Sequence, residues 1–206
     1  MAPVGGRPFL EIVLDRLDRA GCRRVILSTG HLHNVIFDHF GEVYRTISLR
    51  YAVEDEPLGT GGAIHNALKL ATRTEVIILN GDTLLDVDYR ALLLFHAAAG
   101  SELSLCTVER DDISRYGGLT VKNDRVVSFI EKGQTGRGLI NAGVYVMNSG
   151  ISWPADVPAK FSFETDYLMS HVERLQPAAF QCNGYFLDIG IPEDLDKAQM
   201  ELASIE

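Results

Sequence analysis

Positive charge, cysteine and long apolar runs are all scarce in this sequence, and each scarcity removes a class of function. The 206 residues carry 19 Lys and Arg against 28 Asp and Glu, a formal net charge of −9. A net anion does not collect on nucleic acid or on anionic lipid by charge alone. No nucleic-acid partner and no membrane partner are therefore expected. Any anionic substrate must be handled locally, by a metal ion, backbone N–H groups or a few placed cations. Cysteine occurs only at Cys22, Cys106 and Cys182, with no C-x-x-C pair. That set suggests neither a disulfide framework nor a zinc site, and a reducing cytoplasm is the expected compartment. No stretch approaches the roughly 18 apolar residues of a membrane span; Ala91 to Ala99 is short and interrupted by His96. Met1 to Pro8 has no apolar core, so no secretory signal is expected.

What is present is a strand–helix alternation. Pro8 to Ala20 carries Phe9, Ile12, Val13, Leu17 and Ala20 at helical spacing, with Pro8 suited to the first turn and Gly21 to the stop. Strands are expected at 24–28, 47–53, 75–79 and 103–108, and helices at 32–40, 59–70 and 89–99. Glu75 to Leu79 is continuously apolar after its first residue, as in a strand buried on both faces of a parallel sheet. From residue 109 the character changes. Strand-like runs at 117–121, 125–131 and 139–147 are joined by short polar turns, with a hairpin turn at 122–125. A helix over 163–175, a strand over 185–188 and a closing helix over 192–203 complete the reading. The pattern implies one α/β domain over 1–206, with an open, mostly parallel sheet between helices and a β-rich insertion at about 109–147.

Four places carry residues suited to chemistry. Leu79-Asn80-Gly81-Asp82 ends an apolar strand in a glycine, which permits a sharp turn, and then a carboxylate. Ligands of open α/β sheets bind beyond the carboxyl ends of strands, and a hard carboxylate there suits Mg²⁺. The same residues would equally make a turn with Asp82 capping a helix. Phe186-Leu187-Asp188-Ile189-Gly190 repeats the pattern, and the two aspartates gain weight together. Glu56-Pro57-Leu58-Gly59-Thr60-Gly61-Gly62 puts three glycines between a strand and a helix, which lets backbone approach a flat or charged ligand. It is neither a P-loop nor a dinucleotide fingerprint. Glu131-Lys132 and Asn141-Ala142-Gly143 offer acceptors, a point charge and an amide for a hydroxyl-rich phosphate, or simply a solvated pair and a polar turn. Asp86 and Asp88 form a D-x-D, for which a helix cap is the preferred reading. Trp153 is read as a packing anchor.

Taken together and in order, these motifs resemble the sugar-1-phosphate nucleotidyltransferases. The match runs from Met1 to Leu10 through Glu56–Gly62, Asn80-Gly81-Asp82, Tyr116-Gly117, Phe129-x-Glu131-Lys132, Asn141-Ala142-Gly143-x-Tyr145 and Asp188-Ile189-Gly190-x-Pro192. The resemblance implies a Rossmann-like three-layer α/β/α fold. It implies transfer of a nucleotidyl group from an NTP to a sugar 1-phosphate, giving NDP-sugar and pyrophosphate. It implies Asp82 and Asp188 as Mg²⁺ ligands, with Lys132 as a further catalytic cation. Glu56, Pro57, Leu58, Gly59, Thr60, Gly61 and Gly81 fall to the nucleotide. Tyr116, Gly117, Glu131, Lys132, Asn141, Ala142 and Gly143 fall to the sugar phosphate. The P-L-G-T-G-G form most resembles the guanylyltransferases that act on heptose 1-phosphate for surface polysaccharide, with the mannose-1-phosphate enzymes close by. A homo-oligomer is one option for the assembly.

Family members also carry a first strand, a G-G-x-G-T-R-L loop and a Lys-Pro, about 25 residues, the larger part of a βαβ unit. These precede the equivalent of Met1 and are absent here. A start downstream of the natural one, or a fragment, is expected ahead of a loss of catalysis. A sheet without that strand is expected to expose unpaired edges. The alternatives are a catalytically incomplete nucleotide-sugar-binding homologue and a D-x-D glycosyltransferase.

Overall fold

The computed structural model describes residues 1–202. Residue 203, at the end of the expected closing helix, and residues 204–206 of the expected domain lie outside the described residues.

In chain order, a small hairpin of β1 (Pro3–Val4) and β2 (Arg7–Pro8) leads into α1 (Phe9–Arg19). Then come β3 (Arg24–Thr29), α2 (His33–Phe40), β4 (Val43–Tyr44), β5 (Ile47–Val53), α3 (Gly59–Leu68), β6 (Glu75–Leu79), β7 (Thr83–Leu85) and α4 (Tyr89–Ala99). The β-rich region holds β8 (Leu103–Arg110), β9 (Gly118–Lys122), β10 (Arg125–Ile130) and β11 (Gly138–Asn148). A π-helix (Phe163–Met169), α5 (Val172–Leu175), β12 (Ala178–Cys182), β13 (Phe186–Asp188) and α6 (Pro192–Leu202) follow. The expected elements are recovered, with three differences. The helix expected over 163–175 is a π-helix and a short α-helix. Strand β12 was not anticipated. The small strands β1, β2, β4 and β7 were not anticipated either.

Strand alternation sorts side chains into two faces of the larger sheet. Leu103, Leu105, Tyr145 and Met147 point to one core, with Ile64 of α3 and Phe163, Tyr167 and Leu168 of the π-helix. Cys106, Val108, Val144 and Val146 point to the other, against Leu92 of α4. A third core joins Phe9, Ile12, Val13, Leu14 and Leu17 of α1 to Leu49, Leu84, Leu187 and Ala198. The layering is thus helix–sheet–helix.

The sheet is mixed where a mostly parallel one was expected. The larger sheet runs β6-β11-β8-β12-β10-β9, and a second holds β3-β5-β4. Among the described residues, parallel pairing is confined to β3 with β5 and β8 with β12. Parallel neighbours need a long crossover. The chain instead turns back through the β9–β10 hairpin, so β11 enters antiparallel to both β6 and β8. Asn123 and Asp124 take positive φ at that hairpin's turn, as two-residue loops require. The outer edges of β3 and β6 have no strand partner among the described residues. Val76 and Ile78 pack on one core and Ile77 and Leu79 on the other, so β6 is covered on both faces as expected, though each residue is only half-buried.

Candidate active site

The two rim aspartates are brought together by backbone. β7 and β13 pair antiparallel with Thr83 opposite Asp188, and the Ile189 N–H donates to the Asp82 carbonyl at 2.9 Å. Asp188 Oδ1 accepts from the Gly190 N–H at 2.7 Å, and Asp82 Oδ1 accepts from Thr83 Oγ1 at 3.3 Å. Gly190 marks where they converge: a Cβ there would sit 2.9 Å from Asp188 Oδ1 and 3.7 Å from Asp82 Oδ2. The capping alternative fails for Asp82, because the next helix, α4, is capped by Asp88, which accepts from the Arg90 and Ala91 N–H groups. Asp86 is exposed and 3.9 Å from Arg16. The D-x-D pair thus has a structural role at Asp88 and none at a shared site.

Gly81 does not have a left-handed φ, and a Cβ there would meet nothing within 4 Å. The turn after β6 therefore does not require glycine. What Gly81 leaves is bare, exposed backbone beside Asp82.

Asn141-Ala142-Gly143 lies next to this rim. Asn80 N–H donates to the Gly143 carbonyl at 2.9 Å, and Gly143, with φ 67°, has no room for a Cβ beside the Asn80 side chain. A register shift in β11 between Asn141 and Tyr145 makes this possible. The Asn141 amide is already engaged. Its Oδ1 accepts from the Gly143 N–H at 3.1 Å and its Nδ2 donates to Tyr145 Oη at 2.7 Å. Asn141 therefore shapes the bulge as well as bordering the rim.

Tyr116-Gly117 and Glu131-Lys132 also meet. Gly117, at φ 76°, packs against the Ile130 carbonyl and the Lys132 stem, leaving no room for a Cβ. Glu131 and Lys132 are exposed, with no hydrogen bond or ion pair among the described residues.

The glycine loop is explained differently from the sequence expectation. A Cβ at Gly59 would lie 2.5 Å from the Phe161 carbonyl, one at Gly61 would overlap the Phe161 ring, and one at Gly62 would lie 2.6 Å from the Ala159 carbonyl. The chain's own 159–161 segment makes the close approach, and Gly61 N–H donates to the Phe161 carbonyl at 3.0 Å. Glu56, Pro57, Gly59 and Thr60 remain exposed and Leu58 half-buried. Thr60 Oγ1 accepts from the Phe163 N–H at 2.8 Å and donates to Glu164 at 3.1 Å.

Glu164 is a residue that sequence reasoning missed. Its other oxygen accepts from Tyr145 Oη at 3.2 Å, so hydrogen bonds run from Asn141 through Tyr145 and Glu164 to Thr60. Burial, with the Glu164 charge beside it, pushes the Tyr145 phenol well above its ordinary value, so it stays a neutral donor. The second residue missed is Arg115, which pairs with Asp188 (Nη2 to Oδ2, 3.5 Å) and with Asp194. Nothing in the sequence flagged Glu164. Arg115 adjoins the Tyr116-Gly117 motif, which was a signal. A cavity of about 390 Å³ opens alongside, lined by Arg110, Tyr116, Phe186, Asp188, Asp194 and Lys197 among others.

The carboxylate pair suits a hard divalent ion that keeps several waters and shares its ligands with phosphate. No group of three or more His, Cys, Asp or Glu that could cage a metal occurs among the described residues. No helix among them is long and apolar enough to cross a membrane.

The chain is similar to known proteins along nearly its whole length. The chain is 42% identical over 202 residues to a D-glycero-alpha-D-manno-heptose 1-phosphate guanylyltransferase of Aneurinibacillus thermoaerophilus, covering 98% of this chain and 88% of that protein. It is 38% identical over 195 residues to the enzyme of the same name from Campylobacter jejuni, with 94% and 86% coverage. The crystal structure of HddC from Yersinia pseudotuberculosis superposes with a TM-score of 0.86 at 38% identity, covering 98% of this chain and 88% of that one. A second HddC structure, complexed with GMP-PN, gives 0.84 at 37% identity, again covering 98% and 88%. Residues 1–205 match the nucleotidyl transferase family, and with relatives this similar over nearly its whole length the chain belongs to that family.

Proposed function

We propose that this chain transfers a guanylyl group from GTP to a heptose or mannose 1-phosphate, releasing pyrophosphate and forming a GDP-sugar for polysaccharide synthesis. The observation that carries this reading is the convergence of Asp82 and Asp188 beside Gly190, with Asn141–Gly143 packed against Asn80. The substrate class follows the similar heptose 1-phosphate guanylyltransferases and the GMP-PN complex of HddC.

The residues fit the reaction. A sugar phosphate is already ionised at neutral pH, so its attacking oxygen needs no general base. The task is to align two polyanions and offset their repulsion. Asp82 and Asp188 would hold Mg²⁺, which when bound supplies charge neutralisation for the nucleotide phosphates. The missing side chain at Gly190 leaves the Asp188 and Asp82 oxygens beside it uncovered. Lys132, exposed beside Tyr116-Gly117, would act as a point charge for the sugar phosphate. Glu131 accepts from sugar hydroxyls, while Asn141 orders the bulge they face. Exposed Gly59 and Thr60 border the nucleobase. With Cys22, Cys106 and Cys182 all free, a reducing cytoplasm suits the chain.

The test is pyrophosphate release from the purified chain with Mg²⁺, each of the four common NTPs, and heptose or mannose 1-phosphate. Release is expected with GTP and one of these sugars, and to require all three components. If no pairing of NTP and sugar 1-phosphate yields pyrophosphate above the no-sugar control, the reading is wrong.

A further inference from the structure

Arg115 sits against the paired aspartates and has no part in the reaction as set out above. Its Nη2 is 3.5 Å from Asp188 Oδ2, its Nη1 is paired with Asp194 at the start of α6, and its guanidinium lies 4.8 Å from the Tyr116 ring centroid. The side chain is only 32% exposed, and those of Asp188 and Asp194 are 24% and 21%. Asp188 therefore has two oxygens with different duties. Oδ1 faces Gly190 and Asp82, and Oδ2 faces the guanidinium. Two carboxylates, Asp188 and Asp194, flank this cation.

A guanidinium cannot shed its proton in a protein. Held against one of two metal-binding carboxylates, it opposes a divalent ion by charge and engages one carboxylate oxygen. Asp194 gives it a second seat within the same reach. Incoming phosphates, being polyanionic, would offset its charge.

We propose that Arg115 is a built-in counter-cation for the Asp82–Asp188 pair. It offsets the Asp188 charge in the free chain and depresses the affinity of the pair for a divalent ion, so that the ion enters with the phosphates of the nucleotide. This rests on the metal reading of the two aspartates given above.

The experiment is Mn²⁺ binding to the purified chain without nucleotide, with free Mn²⁺ read by electron paramagnetic resonance. Arg115→Ala and Arg115→Gln should tighten binding by about tenfold, the order expected for removing one unit charge from the neighbourhood of a divalent ion in a solvated site. Arg115→Lys should bind as the parent does. Asp194→Asn should loosen binding, because it removes a carboxylate and leaves the guanidinium wholly on Asp188. A purely structural Arg115 would give loosening in its neutral variants too, and that result, or no change, overturns the proposal. Asp82→Asn and Asp188→Asn separate the two readings. If neither loosens Mn²⁺, the metal reading itself fails. If both do and the neutral Arg115 variants do not tighten it, only the role of Arg115 fails. Circular dichroism on each variant confirms folding, and the two neutral variants back each other up.

Discussion

The glycine loop at 59–62 and the aspartate rim at 82 and 188 sit at strand ends of the same protein but are held by opposite means. The loop is held by shape: Phe161 and Ala159 press on three glycines until no Cβ fits. The rim is held by backbone pairing of β7 with β13 and by bonds to single carboxylate oxygens. Arg115 adds an ion pair to Asp188 Oδ2, and open space lies at Gly81. A site that binds by contour needs its walls fixed by packing. A site that binds by charge needs its ligands aimed and its centre left empty. Substitutions should therefore part cleanly, those in the loop costing stability and those at the rim costing turnover.

Asp82→Asn tests this division most severely. It should reduce turnover by at least about 100-fold, the scale of losing several kcal/mol of charge stabilisation, while the thermal midpoint stays close to that of the parent. A large fall in midpoint would mean that the rim is structural after all. Gly61→Ala is the mirror case. It should lower the unfolding free energy by about 2 kcal/mol, within the range for overpacking a core, measured by urea titration. Unchanged stability would show that the 159–161 segment yields. Asp88→Ala removes the cap of α4 and should cost about 1 kcal/mol with GTP turnover unaltered. Lost turnover at full folding would restore the D-x-D reading. The last effect is with pH. Burial foremost pushes Tyr167, in the core that holds Phe161, and Tyr89 up to about 12. A folded value raised above the unfolded one gives stability that is complete below about pH 10 and lost as pH climbs through about 12. Thermal midpoints between pH 8 and 11.5 should decline only in the upper part of that range.

Much of this was readable beforehand because the signals were local. Leu79-Asn80-Gly81-Asp82 and Leu187-Asp188-Ile189-Gly190 each announce a strand running into an open rim. The 3.6-residue stripe of α1 and the apolar run of β6 placed their elements within two residues. The failures came where position depends on distant chain. Ala178 to Cys182 forms β12 by pairing beside β8, though two alanines give it little strand preference of its own. The wider winding of 163–169 cannot be told from an α-helix by seven residues of apolar spacing. There Phe163 stacks on Tyr167 at 5.5 Å. The glycines of 59–62 looked ligand-facing because their real neighbour, Phe161, is a hundred residues away in sequence. Glu164 and Arg115 matter only through partners that tertiary structure supplies.

The pairing of β7 with β13 has a consequence for how the protein comes into being. Asp82 leaves the ribosome well before the strand that brings Asp188 beside it. Domains fold largely as units as they emerge, and contacts this remote along the chain form late. A nascent chain can already hold α1, β3 and β5 while having no rim at all. The chemistry is thus withheld until synthesis has passed residue 188, and a message cut short before that point would yield a chain with no second aspartate.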